Sequence, residues 1–190
     1  MIAVKIGGSV ITRKDTYRHF LPDVCRNIVK SLSPFRNELI VSHGGGSFGH
    51  ILAKEANLPY ELNERTKRYF SRIHNDVLLL NSKIIDIMVE EGFNPVSIPT
   101  ALFFGKKTLN VSTYRRFLES GFNPVGMGDI VLSGKTVKII SAIAARFLFI
   151  FLALSVPPVI DEITTGNEKS FPRKLVFVTM ESKSKFGIAW

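Results

Sequence analysis

The sequence predicts an α/β fold with a largely parallel central sheet and helices on both faces. Short apolar runs, typical of buried parallel strands, alternate with segments whose apolar residues recur every three or four positions. Glycine-rich stretches directly follow two of these runs, as loops at the carboxyl edge of such a sheet do. With 190 residues, 45% of them hydrophobic and 15 of them Phe, the chain can fill the core of one domain of this class.

The first part of the chain alternates strands with helices. Residues 2–6 predict a buried strand that ends at Gly7-Gly8-Ser9, and a helix follows over about 20–32, where the apolar residues share one face. Residues 38–42 predict a second strand, short and apolar as a strand covered on both faces should be. After the next glycines, a short helix extends to about Asn57.

A long amphipathic helix is predicted over about 67–91, and it ends at Gly92, a common residue at helix C-termini. Its apolar residues form one stripe, made of Phe70, Ile73, Val77, Leu80, Ile84 and Ile87. Two interpretations of this stripe are open. It packs into the core or a subunit interface, or part of it forms the wall of a pocket for an apolar substrate.

The following elements are a strand over 95–99, a helix over 112–120, a strand at 124–125 and a hairpin with arms at 130–132 and 136–140. Gly121 ends the helix. Beyond Ser141, residues 174–179 predict a further strand. An uncharged apolar run at 147–160 is shorter than a membrane span and is typical of buried core.

Cysteine usage and the N-terminal residues bear on the compartment. Cys25 is the one cysteine, which excludes an internal disulfide and any metal site built on paired thiolates. The first residues lack the basic start, apolar middle and cleavage site of a secretory signal. Both observations predict a cytoplasmic protein.

The charge balance is compatible with an anionic ligand but does not identify it. The formal net charge is +9, which suits a phosphate ligand, a nucleic acid or a chain that is basic for solubility. The aromatic residues are mostly Phe at apolar positions, and they are not interleaved with a basic stripe as stacking platforms would be. We therefore expect neither nucleic acid nor a membrane as partner.

The stretch from His43 to His50 is predicted to bind phosphate. Three consecutive glycines, Gly44-Gly45-Gly46, let backbone N–H groups approach an anion, and a helix starting near Ser47 directs its positive end to the same place. A turn also accepts glycine, but three in a row between a Ser and two His exceed what a turn needs.

Two glycine loops follow successive strands, so both are expected at one edge of the sheet. Lys5 at the end of the first strand, Lys14 beyond the first loop and His50 after the second add cationic or donor groups there. Phosphoryl transfer needs positioned phosphates and positive charge where negative charge develops. The alternatives are an edge lysine for Lys5 and plain surface charge for Lys14.

The remaining histidines and two partial motifs receive no functional assignment. We expect structural or surface roles for His19, His43 and His74. Residues 44–49 satisfy G-x-G-x-x-G, but in dinucleotide-binding folds that pattern follows the first strand, where a different glycine loop occurs here. Gly134-Lys135-Thr136 resembles the end of a P-loop, yet Asp129 stands where the upstream glycine is required.

Several of these residues together resemble the archaeal-type isopentenyl phosphate kinases of the amino acid kinase superfamily. The matching stretches are 5–12 with Lys14, 43–50, and 124–125 with 128–129. The glycine block that ends in His is specific for this branch and for the related fosfomycin-phosphorylating kinases. The resemblance implies an amino acid kinase-like region over 1–141 and a divergent remnant of the nucleotide-binding lobe over 142–190.

The resemblance implies ATP-dependent phosphorylation of isopentenyl phosphate to isopentenyl diphosphate, a step of isoprenoid biosynthesis, with Mg²⁺ and in a homodimer. Carried over residue by residue, the ATP contacts are Lys5, Ile6, Gly7, Gly8, Ser9 and Gly46. Gly45 and His50 would hold the substrate phosphate, and Gly128 would line the same site. The implied catalytic residues are Lys5, Lys14 and His50, with Lys5 stabilising the transferred phosphoryl group and Lys14 neutralising charge between the ligands.

One departure from the family pattern concerns the ATP side. Where the family has Ser-Gly-Asp and a further acidic residue, Ser141 is followed by Ala142-Ile143-Ala144. Three hypotheses follow: a kinase of isopentenyl phosphate with impaired activity, a fosfomycin-type small-molecule kinase, or a non-catalytic remnant that binds a phosphate ligand or a partner.

Overall fold

The computed structural model describes residues 2–57, 60–99, 111–140, 176–180 and 187–189. The departure after Ser141, the apolar run at 147–160 and most of the region 142–190 lie outside the described residues. The described strands are β1 Ile2–Ile6, β2 Leu39–His43, β3 Tyr60–Glu61, β4 Pro95–Ile98, β5 Asn123–Met127, β6 Asp129–Ser133, β7 Thr136–Ile140, β8 Val176–Met180 and β9 Gly187–Ala189. The described α-helices are α1 Gly8–Ile11, α2 Pro22–Ser31, α3 Gly46–Ala56, α4 Glu64–Glu90 and α5 Val111–Glu119, and a 3-10 helix covers Ser33–Glu38.

A mostly parallel sheet forms the centre of the described part, in the order β4-β5-β2-β1-β8-β9. The first five of these strands are parallel, and β9 is antiparallel to β8. The predicted α/β class is therefore confirmed. Lys5 faces Ser42 of β2 on one side and Thr179 of β8 on the other, so it belongs to an interior strand and is not an edge lysine.

A second, smaller sheet has the order β3-β7-β6 and contains the predicted hairpin. Its strand β6 begins at Asp129, two residues after the end of β5 at Met127. The hairpin therefore starts at the carboxyl edge of the main sheet, where the glycine loops that follow β1 and β2 also lie.

Helix α4 begins three residues before the predicted start. Asn63 explains the difference, because its side chain accepts a 3.0 Å hydrogen bond from the Thr66 backbone N–H while the Thr66 hydroxyl accepts one from Asn63 N–H. This reciprocal capping satisfies two backbone donors that the first turn leaves unpaired. At the other end, Gly92 has a φ of +78°, the left-handed conformation that commonly follows a helix.

The apolar stripe of α4 packs into two clusters. Leu80, Ile84 and Ile87 join the main core with β1, β2 and α2, whereas Ile73 and Val77 join a smaller cluster with residues of β5, β6 and β7. The helix therefore spans from the core to the hairpin. None of the described helices combines the length and the apolar character that crossing a membrane requires.

Candidate active site

The two glycine loops touch at the carboxyl edge of the sheet. Gly44 N–H donates to the carbonyl of Ile6 at 3.0 Å, and a Cβ added to Gly8 would lie 2.2 Å from the backbone nitrogen of Gly46. No side chain fits between backbones that are this close. The glycines at these positions are therefore required by the contact between the loops, which extends the sequence prediction that both loops lie at one edge.

Thr12 joins the two loops through one buried hydroxyl. Its Oγ1 donates to the carbonyl of Gly8 at 2.7 Å and accepts from the backbone N–H of Ser47 at 2.9 Å. Gly46 also packs on this side chain with a φ of +49°, so that a Cβ there would lie 2.2 Å from Thr12 Oγ1. The start of α3 is thus fixed relative to the end of β1.

The N-terminus of α3 has the properties of an anion site. Gly45 occupies the cap position without a side-chain hydrogen bond, and no acidic residue lies in the first turn. The Ser47 hydroxyl is buried and has no hydrogen-bond partner within the described part of the chain. The first turn is capped in part by Thr12, which accepts from the Ser47 N–H. The positive end of the helix dipole beside the unsatisfied Ser47 hydroxyl favours a ligand that carries anionic oxygen.

A small, open cleft lies next to this N-terminus, and the empty space of about 250 Å³ between its walls includes open solvent. It is lined by Gly45, Gly49, His50, Ile73, Val77, Gly128, Asp129 and Ile139. The polar lining comes from the start of α3 and the β5–β6 connection, and the apolar lining comes from α4 and β7. The cleft therefore combines a polar end with an apolar wall.

The structure brings Gly45, His50 and Gly128, three of the predicted site residues, together in the lining of this cleft. Two residues of the predicted helix stripe, Ile73 and Val77, line the cleft as well, and both are also buried in the smaller apolar cluster. The core interpretation thus fits the buried residues of the stripe, and at one end of α4 the same residues border the cleft.

The two predicted lysines lie outside the cleft lining. Lys5 is half-buried near the end of β1, immediately before the first glycine loop, and Lys14 is exposed on the loop between α1 and α2. The other predicted nucleotide contacts, residues 6–9, form the end of β1 and the start of α1. They meet Gly46 through the Gly8 contact.

His74 forms a hydrogen bond with Asp129, which lines the cleft, and the sequence did not predict this contact. Its Nδ1 lies 2.9 and 3.0 Å from the two carboxylate oxygens of Asp129, whose side chain is fully buried. Burial raises the pKa of Asp129, while the hydrogen bond and charge of His74 and the Ile130 N–H act in the opposite direction. The signal in the sequence was that His74 is adjacent to Ile73 on α4.

His43 has the structural role that the sequence analysis expects. Its ring is completely buried at the end of β2, and burial lowers its pKa, so the ring is neutral at pH 7. The Nε2 lies 3.0 Å from Asn81 Oδ1, and the Asn81 amide donates to the Ser97 hydroxyl at 2.7 Å. These contacts connect β2, α4 and β4 beneath the glycine loop.

The profile of the amino acid kinase family matches residues 1–148. The chain therefore belongs to the amino acid kinase family. Within it, the chain is similar to isopentenyl phosphate kinases. The protein of that name from Thermoplasma acidophilum is 40% identical over 132 residues, which are 70% of this chain and 54% of that protein. The one from Methanothermobacter thermautotrophicus is 34% identical over 90% of this chain and 72% of its own length.

Solved structures agree with these matches. A product complex of the T. acidophilum isopentenyl phosphate kinase superposes with a TM-score of 0.69 at 39% identity, covering 74% of this chain and 61% of the other. A substrate complex of an isopentenyl phosphate kinase gives 0.70 at 38% identity, covering 78% and 67%. The match to the Thermoplasma sequence thus spans about half of that relative's length.

Proposed function

We propose that this chain transfers the γ-phosphoryl group of ATP to isopentenyl phosphate, as the names of its relatives indicate for those proteins. The observation that carries the proposal is the cleft, where Gly45, His50 and Gly128 form a polar end and Ile73 and Val77 form an apolar wall. This combination suits a phosphate monoester with a short hydrocarbon tail. A sugar or amino acid acceptor would need polar partners along that wall.

The donor side is supported by the contact between the glycine loops. Gly8 and Gly46 leave no space for a Cβ because the two loops pack directly on each other, so the backbones that follow β1 and β2 lie side by side at one edge of the sheet. In the proposal, residues 5–9 and Gly46 contact the ATP phosphates. The acceptor phosphate binds on the other side of Gly46, at Gly45 and His50.

The reaction is an in-line displacement in which an oxygen of the acceptor phosphate bonds to the γ-phosphorus of ATP and the bond to the ADP oxygen breaks. Two anionic groups must approach each other, so the protein must offset their repulsion. We assign this task to Lys5 and Lys14, and we assign to His50 an N–H hydrogen bond to the acceptor phosphate. Oriented N–H donors at the start of α3 add to the stabilisation of the developing charge.

Mg²⁺ would accompany the nucleotide. Among the described residues, no group of three His, Cys, Asp or Glu side chains could hold a metal ion. Mg²⁺ in kinases is bound largely by substrate phosphates and water with one or two carboxylates, so it supplies charge neutralisation at the phosphates. The glycine loops fit the phosphates, and the described carboxylates do not by themselves form a metal site.

The direct test is ADP release by the full chain with isopentenyl phosphate, ATP and Mg²⁺. Turnover that depends on isopentenyl phosphate supports the proposal, and Lys14→Ala should reduce it. Lys135→Ala is the matched control, because Lys135 is an exposed lysine in the β6–β7 turn. Fosfomycin, tested in parallel, identifies the related acceptor class. Binding of isopentenyl phosphate without turnover by a folded chain would instead support a non-catalytic phosphate-binding protein.

A further inference from the structure

The loop that carries Lys14 is held closed at its base by backbone hydrogen bonds. Arg13 N–H donates to the His19 carbonyl at 3.0 Å, and Leu21 N–H donates to the Ile11 carbonyl at 2.9 Å. Lys14 itself is exposed on this loop. These bonds fix the two ends of the loop, whereas the residues between Arg13 and His19 need further contacts to hold them in place.

The second half of the loop is held by one carboxylate of α4. Tyr17 donates its hydroxyl to Asp76 Oδ2, and the Arg18 guanidinium forms an ion pair with Asp76 Oδ1. Arg72 contributes from the helix itself, with Nε 3.5 Å from Asp76 Oδ1 and 3.1 Å from the Tyr17 hydroxyl. Two guanidinium groups and a phenol therefore surround a single carboxylate.

Two features indicate that this arrangement is not incidental surface pairing. The Asp76 side chain has no exposed surface, and a buried carboxylate is tolerated when charged partners and hydrogen bonds compensate its lost hydration. Arg18 has a φ of +55°, the left-handed region that residues other than glycine seldom occupy. Backbone strain of this kind persists where surrounding contacts determine the conformation, and such sites cluster near functional regions.

Asp76 also lies at the part of α4 that lines the cleft. It directly precedes Val77 and follows Ile73 by three residues, and both neighbours line the cleft. The loop with Lys14 is thus attached to the same helical turns that form the apolar wall. A shift of this loop would change the distance between Lys14 and any ligand in the cleft.

We propose that Asp76 is a positioning residue, which holds the Lys14 loop against the cleft wall through Tyr17 and Arg18. The proposal rests on the proposed phosphoryl transfer, in which Lys14 neutralises charge between the two phosphates. Asp76 acts on the reaction through Lys14 and does not itself contact the ligands. Loss of the carboxylate should leave the fold and the ligand contacts in place while the loop becomes free to move.

The first experiment needs no catalytic activity. Trypsin cleavage of the folded chain after Arg13 and Lys14 is followed by mass spectrometry for Asp76→Asn and for the parent. The matched control is Asp86→Asn, which removes the same charge from an exposed position on the same helix. We expect cleavage in the loop to accelerate by at least roughly tenfold in Asp76→Asn alone, because local opening controls access to the bonds. Equal cleavage rates in all three proteins would overturn the proposal.

The second experiment is a double-mutant cycle in the kinase assay. Asp76→Asn should lower kcat by roughly tenfold with KM values little changed, since misplacement of a catalytic group costs rate at constant binding. In a Lys14→Ala background, the same substitution should have little further effect. An equal loss in both backgrounds would show that Asp76 does not act through Lys14, and a purely structural role would not produce this coupling.

A replacement variant and the trypsin comparison keep a failure of this proposal distinct from a failure to fold or a failure of the proposed function. Tyr17→Phe removes one hydroxyl from a side chain that is already 38% exposed, so it replaces Asp76→Asn if that variant does not fold. If the parent chain has no turnover, the proposed function fails, while the trypsin comparison still determines whether Asp76 holds the loop. Faster cleavage in that case supports the contact, and unchanged cleavage overturns it.

Discussion

His74 Nδ1 lies 2.9 Å from Asp129 Oδ2, and this contact joins α4 to the first residue of β6. Gly128, directly before Asp129, donates its N–H to the His43 carbonyl at 2.7 Å. The two residues Gly128 and Asp129 therefore connect α4, through His74, to the end of β2, at His43. Because Ile73, next to His74, and Asp129 both line the cleft, this contact joins two sides of the cleft.

Asp129 should give the protein an unusual pH dependence of stability. Burial raises the pKa of Asp129 above its ordinary value of 3.8, so the folded state binds its proton more tightly than the unfolded state does. Below the pKa that Asp129 has in the unfolded chain, its protonated carboxyl group carries no penalty in the folded state. The free energy of unfolding then falls as the pH rises from that pKa through the higher pKa of Asp129 in the folded protein. Urea denaturation across this range should therefore show the parent losing stability relative to Asp129→Asn as pH rises.

The measured quantity is the difference in unfolding free energy between the parent and Asp129→Asn, in which the titration of groups that do not contact Asp129 cancels. A difference that is constant with pH would mean that the His74 contact balances the cost of burying Asp129, and a difference that moves in favour of the parent as pH rises would mean that the contact outweighs this cost. His74→Ala removes that contact and should steepen the loss in the parent background.

His50 should carry a large part of the affinity for the acceptor phosphate. It lines the cleft one turn after the start of α3 at Gly46, where an N–H donor to an anion adds to the helix dipole. His50→Ala should weaken the binding of isopentenyl phosphate by about 1.5 to 3 kcal/mol, the scale of a hydrogen bond to a charged group. Calorimetry measures this, with His19→Ala as the control for an exposed histidine outside the cleft. Unchanged affinity would remove His50 from the acceptor site.

Gly8 and Gly49 should differ sharply in their tolerance of alanine. A Cβ on Gly8 would lie 2.2 Å from the Gly46 nitrogen, a backbone atom that cannot move away without separating the glycine loops. A Cβ on Gly49 would meet only the Val77 side chain at an ordinary 3.5 Å. Gly8→Ala should lower the free energy of unfolding by several kcal/mol, as overpacking does. Gly49→Ala should be neutral or stabilising by up to about 1 kcal/mol, because alanine favours a helix.

Thermal or urea unfolding distinguishes the two outcomes. A Gly8→Ala protein as stable as Gly49→Ala would contradict the direct contact between the loops.

Thr12 should support the site through its hydroxyl. Thr12→Val leaves the Gly8 carbonyl and the Ser47 N–H without their partner at nearly unchanged volume, which should cost about 1 to 3 kcal/mol of stability. Thr12→Ser keeps the hydroxyl and should retain most of that free energy. Urea unfolding of the two variants is the measurement. A loss in Thr12→Ser as large as that in Thr12→Val would contradict a dominant role of the hydroxyl, and a larger loss in Thr12→Ser would attribute the role of Thr12 to its methyl group.

Elements with a regular apolar period could be predicted from the sequence, but the contacts between them could not. The long helix was expected over 67–91 and covers Glu64–Glu90, because its stripe repeats over many turns. Asp76 and His74 look like ordinary polar residues beside that stripe, yet both face buried or cleft-lining groups. Apart from Arg72 one turn before Asp76, the partners described above lie 55 to 59 positions away, so no local pattern reveals them. Thr12 belongs to the stretch 5–12 that resembles the kinase family, but its hydrogen bond with Ser47 depends on the contact between the two glycine loops, which the sequence alone does not show.

Cys25 should resist thiol reagents until α2 leaves the core. The side chain is completely buried against residues of β1 and α4, and burial raises the pKa of its thiol to about 12. The thiolate is the reactive species, so at pH 8 its fraction should be about a thousandfold lower than in the unfolded chain. The rate of iodoacetamide labelling, measured by mass spectrometry with and without guanidinium chloride, tests this. Rapid labelling of the folded protein would show that α2, and with it the end of the Lys14 loop, is not docked on the core.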